Sequence, residues 1–197
     1  MSDADDAPCD AHGALMEATY RALCEHGYAD LTMQDIADEA GRSKSLLHYH
    51  YDTKEGLFVA FFDYLLDGFE ARVADGDDGR SARERLLSLV ALLTVDDEEE
   101  ARLHQALLEL RTQAPYNEAY RQQLRRTKGS LQTLIADVIA DGVESGEFRE
   151  VDPESTARFV LAALDGARSS RVTLGDDGDT EAVREGIRRF VLDDLTR

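Results

Sequence analysis

Leu57, Phe58, Phe61, Phe62, Leu65, Leu66 and Phe69 return every three or four positions. That is the repeat of one α-helix face, and a strand would scatter these side chains over both of its sides. A helix is expected from about Lys54 to Val73. The rest of the chain points to the same element type. It holds only three prolines in 197 residues, no run alternates with period two for long, and its β-branched residues are scattered. The expected fold class is all-α.

Punctuation divides the chain into nine helices. Residues 1–10 read as a disordered acidic tail. Leu15, Ala18, Thr19, Ala22 and Leu23 form the stripe of a first helix that stops near Gly27. Thr32 is placed to cap a second, with Asp35 three residues on and Gly41 at its end. Ser43 can cap a short third helix to about His50. Asp52 and Glu55 mark the start of the long fourth. Further helices are expected at about 80–94, 97–113 and 117–145, the last two parted by Ala114-Pro115. Asp152-Pro153 sets a cap and an N1 proline for a helix at about 153–174. The last, about 180–195, carries Val183, Ile187, Phe190, Val191 and Leu195 on one face.

Hydrophobic residues at 43% and charged ones at 32% describe a globular chain. No stretch of about 18 apolar residues is present, so no transmembrane helix is expected. The start, MSDADDAPCD, lacks a basic region and an apolar one, and so does not read as a signal peptide. A soluble, cytoplasmic location is expected. Cys9 and Cys24 make neither a disulfide framework nor a metal framework.

Charge is strongly one-sided: 41 acidic residues against 22 basic ones, a formal net charge of −19. Lysine occurs only at 44, 54 and 128. This balance resembles that of cytoplasmic proteins of salt-in halophiles, such as a halophilic archaeon. An ordinary acidic protein from a GC-rich genome is the other reading. In either case the global charge repels nucleic acid and anionic membranes, so any contact with DNA must come from a local patch.

One such patch exists. GRSKSLLHYHY, residues 41–51, contains no acid. Ala37, Gly41 and Leu47 fall at relative positions 5, 9 and 15 of a helix-turn-helix. A small residue lets the helices cross, glycine permits the tight turn, and leucine plugs the pair into a core. The third helix is then free to enter a major groove. Arg42 and Lys44 supply charge, Ser43 and Ser45 short hydroxyls, and His48, Tyr49 and His50 reach.

GYADLTMQDIADEAGRSKSLLHYHYDTKEGLF resembles the N-terminal domain of the TetR (tetracycline-repressor) family of transcription regulators. The residues carrying the resemblance are Gly27-Tyr28, Thr32, Ile36-Ala37, Ala40-Gly41, Ser43-Lys44, Leu47 to Tyr51 and Lys54-Glu55. It covers about residues 11–58; beyond them only helix count and lengths match. The resemblance implies phosphate contacts from Thr32, Tyr49, His50 and Lys54, and base-edge contacts from Lys44, Ser45 and His48. His48 replaces a commoner tyrosine, and Leu46 a usual small polar residue. The domains expected are a helix-turn-helix domain at 11–53 and a helical effector-binding and dimerisation domain at 54–197. The function implied is that of a homodimeric repressor, released from double-stranded operator DNA by a small-molecule effector. It needs no other cofactor.

Within the second domain, Phe62, His104, Leu108, Arg111, Tyr116 and Tyr120 are candidate effector-pocket residues. The resemblance makes Phe159, Ala163, Gly166, Ala167, Ile187 and Phe190 candidate dimer-interface residues; from the residues alone this face reads equally as core or as interface. A second acid-free window, 119–136, holds Arg121, Arg125, Arg126 and Lys128. It reads as a face paired with the acids at 96–100 or with another subunit, or as a site for an anionic effector or partner protein. His48-x-His50 does not suit a metal, because residues two apart on a helix point away from each other. No nucleophile elbow, P-loop or HExxH motif occurs, so no enzyme is expected. The alternative to a DNA-binding regulator is a helical protein–protein module.

Overall fold

The structure, a computed structural model, describes residues 8–75, 79–94 and 97–192, with side-chain surroundings for those between 12 and 189. It is all-α. In chain order the helices are α1 (Pro8–Asp30), α2 (Met33–Glu39), α3 (Lys44–His50), α4 (Lys54–Asp75) and α5 (Ala82–Leu92). There follow α6 (Glu98–Gln113), α7 (Glu118–Glu144), α8 (Pro153–Leu174) and α9 (Gly178–Gly186), and α9 runs on as a π-helix, Ile187–Leu192. No helix among the described residues is long and apolar enough to cross a membrane.

The expected helices are all present, with three differences. Helix α1 begins at Pro8, inside the expected tail; residues 1–7 of that tail lie outside the described residues. Gly27 interrupts α1 with φ 69° and ψ 168° rather than ending it. The final helix widens to π geometry from Ile187, which shifts the phase of its faces.

The chain forms two compact units. The first joins the residues up to Asp67 with Gln105–Leu124; the second joins Gly68–His104 with the residues from Arg125 on. In the first, Met16, Leu23, Ile36, Leu47, Leu57, Phe58, Phe61, Leu110 and Tyr120 are buried almost completely. In the second, Leu86, Leu89, Ile135, Ile139, Phe148, Val160 and Leu164 centre the core. There Glu147 accepts from the amides of Ala82 and Arg83 at 2.8 and 3.0 Å, closing the start of α5. A Cβ at Gly142 would run into the Phe148 ring, so that residue must be small for α7 to pack there. Gly175, left-handed at φ 67°, ends α8.

Candidate nucleic-acid interface

Helix α2 starts on a reciprocal cap. The Thr32 hydroxyl accepts from the amides of Gln34 and Asp35, and the Asp35 carboxylate accepts from the Thr32 amide (2.8 Å) and hydroxyl (2.7 Å). These bonds hold the Asp35 carboxyl below its ordinary range. The helix ends in a Schellman turn. Arg42 N donates to Ala37 O at 2.9 Å and Gly41 N to Asp38 O at 3.1 Å, with Gly41 left-handed at φ 60°. Ser43 then caps α3 by accepting from Leu46 N. These bonds meet the amides of Ala40, Gly41, Arg42 and Leu46 within the turn itself.

Ile36 and Ala37 of α2 and Leu47 of α3 are buried, at 0%, 0% and 1% exposure. Leu47 is the only buried residue of α3. Tyr51 closes that helix with its amide on Leu47 O (2.7 Å), and its hydroxyl meets His12 Nδ1 of α1 at 3.1 Å. Tyr51 is half-buried, and burial pushes its phenol up.

All the other side chains of the patch face solvent: Arg42, Ser43, Lys44, Ser45, Leu46, His48, Tyr49 and His50. Lys44 and His48 lie one turn apart along one line of α3, and Ser45 and Tyr49 along the next. Tyr49 is 83% exposed and stands edge-on to His50. The nearest carboxylates on α2 are engaged, Glu39 by Arg21 and Asp38 by Gln34. An exposed helix side with a cation, hydroxyls and imidazoles, and no acid of its own, can meet a polyanion.

Lys54, expected at a phosphate, is half-buried and bonded within the chain. Its ammonium donates to Tyr28 O (2.7 Å) and Leu31 O (2.6 Å) and lies 4.2 Å from the centre of the Tyr28 ring. It faces the chain, and burial lowers its pKa. The Thr32 hydroxyl remains exposed but is committed to the cap.

The candidate pocket residues divide. Phe62, Leu108, Arg111, Tyr116 and Tyr120 belong to the first unit and His104 to the second. Phe62 is buried, Leu108 is half-buried, and Tyr120 is buried with its hydroxyl 3.0 Å from that of Tyr28. Burial and that bond raise the Tyr120 phenol well above its ordinary value. Tyr116, 91% exposed on the turn before α7, faces solvent and not an interior, and Arg111 is exposed too. His104 is half-buried between Glu100 O (2.9 Å from Nδ1) and Arg168 (3.5 Å from Nε2). Burial, then the Arg168 charge, lowers its pKa.

The candidate interface residues divide as well. Phe159 (62% exposed) and Gly166 face outward and Ala163 is half-buried. Ala167 falls on the buried stripe of α8 with Ala157, Val160, Leu161 and Leu164, and Ile187 is 2% exposed. Both are buried within their own chain; small residues occur on both faces of α8, so spacing does not tell its faces apart. The Phe190 side chain lies outside the described residues. In the second acid-free window, Arg121 pairs with Glu118, just before the window begins, while Arg125 and Lys128 are exposed. Among the described residues, no group of three or more His, Cys, Asp or Glu could hold a metal ion.

Glu109 was not legible as part of this site. On α6, it accepts from the amides of Tyr28 (2.9 Å) and Ala29 (3.2 Å), directly after the Gly27 kink. Gly27-Tyr28 reads in the sequence as a helix end, and nothing there pairs it with a glutamate some eighty residues on.

These features define a helix-turn-helix protein with an exposed second helix. Comparison with known proteins makes the class specific. Residues 15–61 match the profile of the bacterial regulatory proteins of the tetR family, and residues 82–195 that of the C-terminal part of BetI-type transcriptional repressors. The chain belongs to the TetR family of transcriptional regulators. A TetR transcription regulator from Haloarcula marismortui is 41% identical, with a TM-score of 0.86 over 96% of this chain and 100% of that one. A transcriptional regulator from Saccharomonospora viridis, solved in complex with choline, is 25% identical, with a TM-score of 0.79 over 96% of this chain and 99% of that one. The HTH-type transcriptional repressor KstR2 of Rhodococcus jostii is 29% identical over 74% of this chain and 72% of its own length.

Proposed function

We propose that the chain is a homodimeric repressor that binds an operator through α3 and leaves it when a small molecule occupies its helical part. The observation that carries this reading is the exposed, acid-free surface of α3 in a protein of net charge −19. Lys44, Ser45 and His48 read base edges. Arg42, Ser43, Tyr49 and His50 meet phosphate. Two copies of α3 enter successive major grooves, about 34–36 Å apart. The outward side of α8, with Phe159, Ala163 and Gly166, meets its copy. The Saccharomonospora regulator, with its bound choline, supports a small-molecule effector. Such an effector must favour one of the two states, or nothing shifts. We infer from the acidic, lysine-poor composition that the protein works at high salt, as in a halophilic archaeon.

The test is binding to a duplex from the promoter region beside its own gene, titrated against salt with a scrambled duplex as control. Saturable, preferential binding by a dimer is expected. Each phosphate neutralised adds about 0.9 to the salt slope, and with few cations on α3 the slope should stay shallower than about −10. Equal binding to both duplexes at every salt concentration refutes the reading. The melting temperature, followed in the same series, should rise with salt as carboxylate repulsion is screened.

A further inference from the structure

The segment from Gly27 to Leu31 is the last part of α1, after its kink, and the link to α2, and three other helices bond to it. From α6, the Glu109 carboxylate takes the amides of Tyr28 and Ala29. From α4, the Lys54 ammonium takes the carbonyls of Tyr28 and Leu31. From α7, the Tyr120 hydroxyl meets that of Tyr28. The arrangement is polarised: an anion on the amide side and a cation on the carbonyl side of the Tyr28–Ala29 peptide.

Gly27 makes it possible. Its φ of 69° with ψ of 168° lies in a region essentially reserved for glycine, and it turns two successive amides toward one point. A Cβ there would stand 3.4 Å from Glu109 Oε2, an ordinary contact, so it is the backbone angle and not space that calls for glycine. So the backbone is shaped for an anion, and the anion comes from the helix that precedes α7. An ordinary connecting turn would need neither device. Its amides could be met by water at the surface, since Ala29 and Asp30 are exposed.

We propose that Glu109 is the positioning residue of the DNA-reading helices: by holding the Tyr28 and Ala29 amides it sets the orientation in which α2 and α3 are offered to DNA. This rests on the DNA-binding reading above. Its energetics follow from population. If the clasp is lost and the competent orientation falls to a tenth of the molecules, the apparent Kd rises about tenfold, although no residue that touches DNA has changed. The number of phosphates met in the bound state, and hence the salt slope, stays the same.

The experiment compares wild-type protein with Glu109→Ala and Glu109→Gln on a duplex that the wild type has selected from a randomised library. Amide hydrogen exchange is followed in parallel on the same full-length proteins. Glu109→Ala should raise Kd about tenfold or more, with an unchanged salt slope. It should speed exchange at Tyr28 and Ala29 while Ile36 of α2 and Ala40, its C-cap, keep their wild-type rates. Glu109→Gln keeps an oxygen that can accept both amides, through weaker neutral bonds, and should stay within about threefold of wild type. Wild-type affinity in Glu109→Ala overturns the proposal. So does loss of α2 protection, which would make the residue a support for folding rather than for orientation. If the wild type selects no sequence at all, the regulator reading fails; exchange at Tyr28 and Ala29 then judges the clasp by itself, and unchanged rates in Glu109→Ala overturn it.

Discussion

Helices α3 and α8 use their residues in opposite ways. Of the seven residues of α3, only Leu47 is buried, and the other six are left to solvent. In α8, Ala157, Val160, Leu161, Leu164 and Ala167 run along one side into the core of the second unit. One helix is held by a single anchor and by the turn before it, the other by a continuous apolar stripe. Substitutions in α3 should therefore register in binding and not in stability, and those on the stripe of α8 the other way round.

The largest effect belongs to the stripe. Leu164→Ala removes a side chain with 0% exposure and should cost about 2–5 kcal/mol in denaturant unfolding. A smaller loss than that would mean the core there collapses easily. Next comes Lys44→Ala, which should weaken binding to a selected duplex by about 1–3 kcal/mol, the range for a specific base contact. Its unfolding midpoint should match the wild type. A shifted midpoint would break the contrast, because it would give an exposed α3 residue a share in folding.

Thr32→Ala tests the border between the two behaviours. It deletes the cap of α2, for about 1 kcal/mol of stability. The smallest effect is a dependence on pH. Thr32's bonds depress the Asp35 carboxyl in the folded chain below its ordinary 3.8. The unfolded chain therefore binds the proton first, so this contribution is complete above 3.8 and fades as pH falls through the lower folded value. Comparing Asp35→Asn with the parent across that window should show the variant with the flatter acid limb. Parallel curves would remove the carboxylate from the account of the cap.

The helix-turn-helix was legible because its determinants are local. Ala37, Gly41 and Leu47 act at fixed offsets, and Thr32 and Ser43 cap the helices they precede, so spacing alone carries the geometry. The sites of the helical part are not local. Tyr116 looked like a pocket residue because it is aromatic and polar, yet it is 91% exposed. Ile187 reads as an interface residue because it sits on a clean apolar face, yet it is itself buried in its own chain, at 2% exposure. Lys54 carries a charge that reads as a DNA contact, while its two bonds to Tyr28 O and Leu31 O depend on where a separate segment lies. Glu109 and Tyr120 meet Tyr28 across a long stretch of sequence, and no periodicity announces such pairs.

The single anchor of α3 has a consequence for descent. A helix that needs only Leu47 to stay in place leaves its remaining positions open to change without a folding penalty. After duplication of the gene, one copy could drift to a new operator by exchanging surface residues one at a time, each intermediate still folded. New regulatory circuits could then arise along paths on which only the DNA target is under selection.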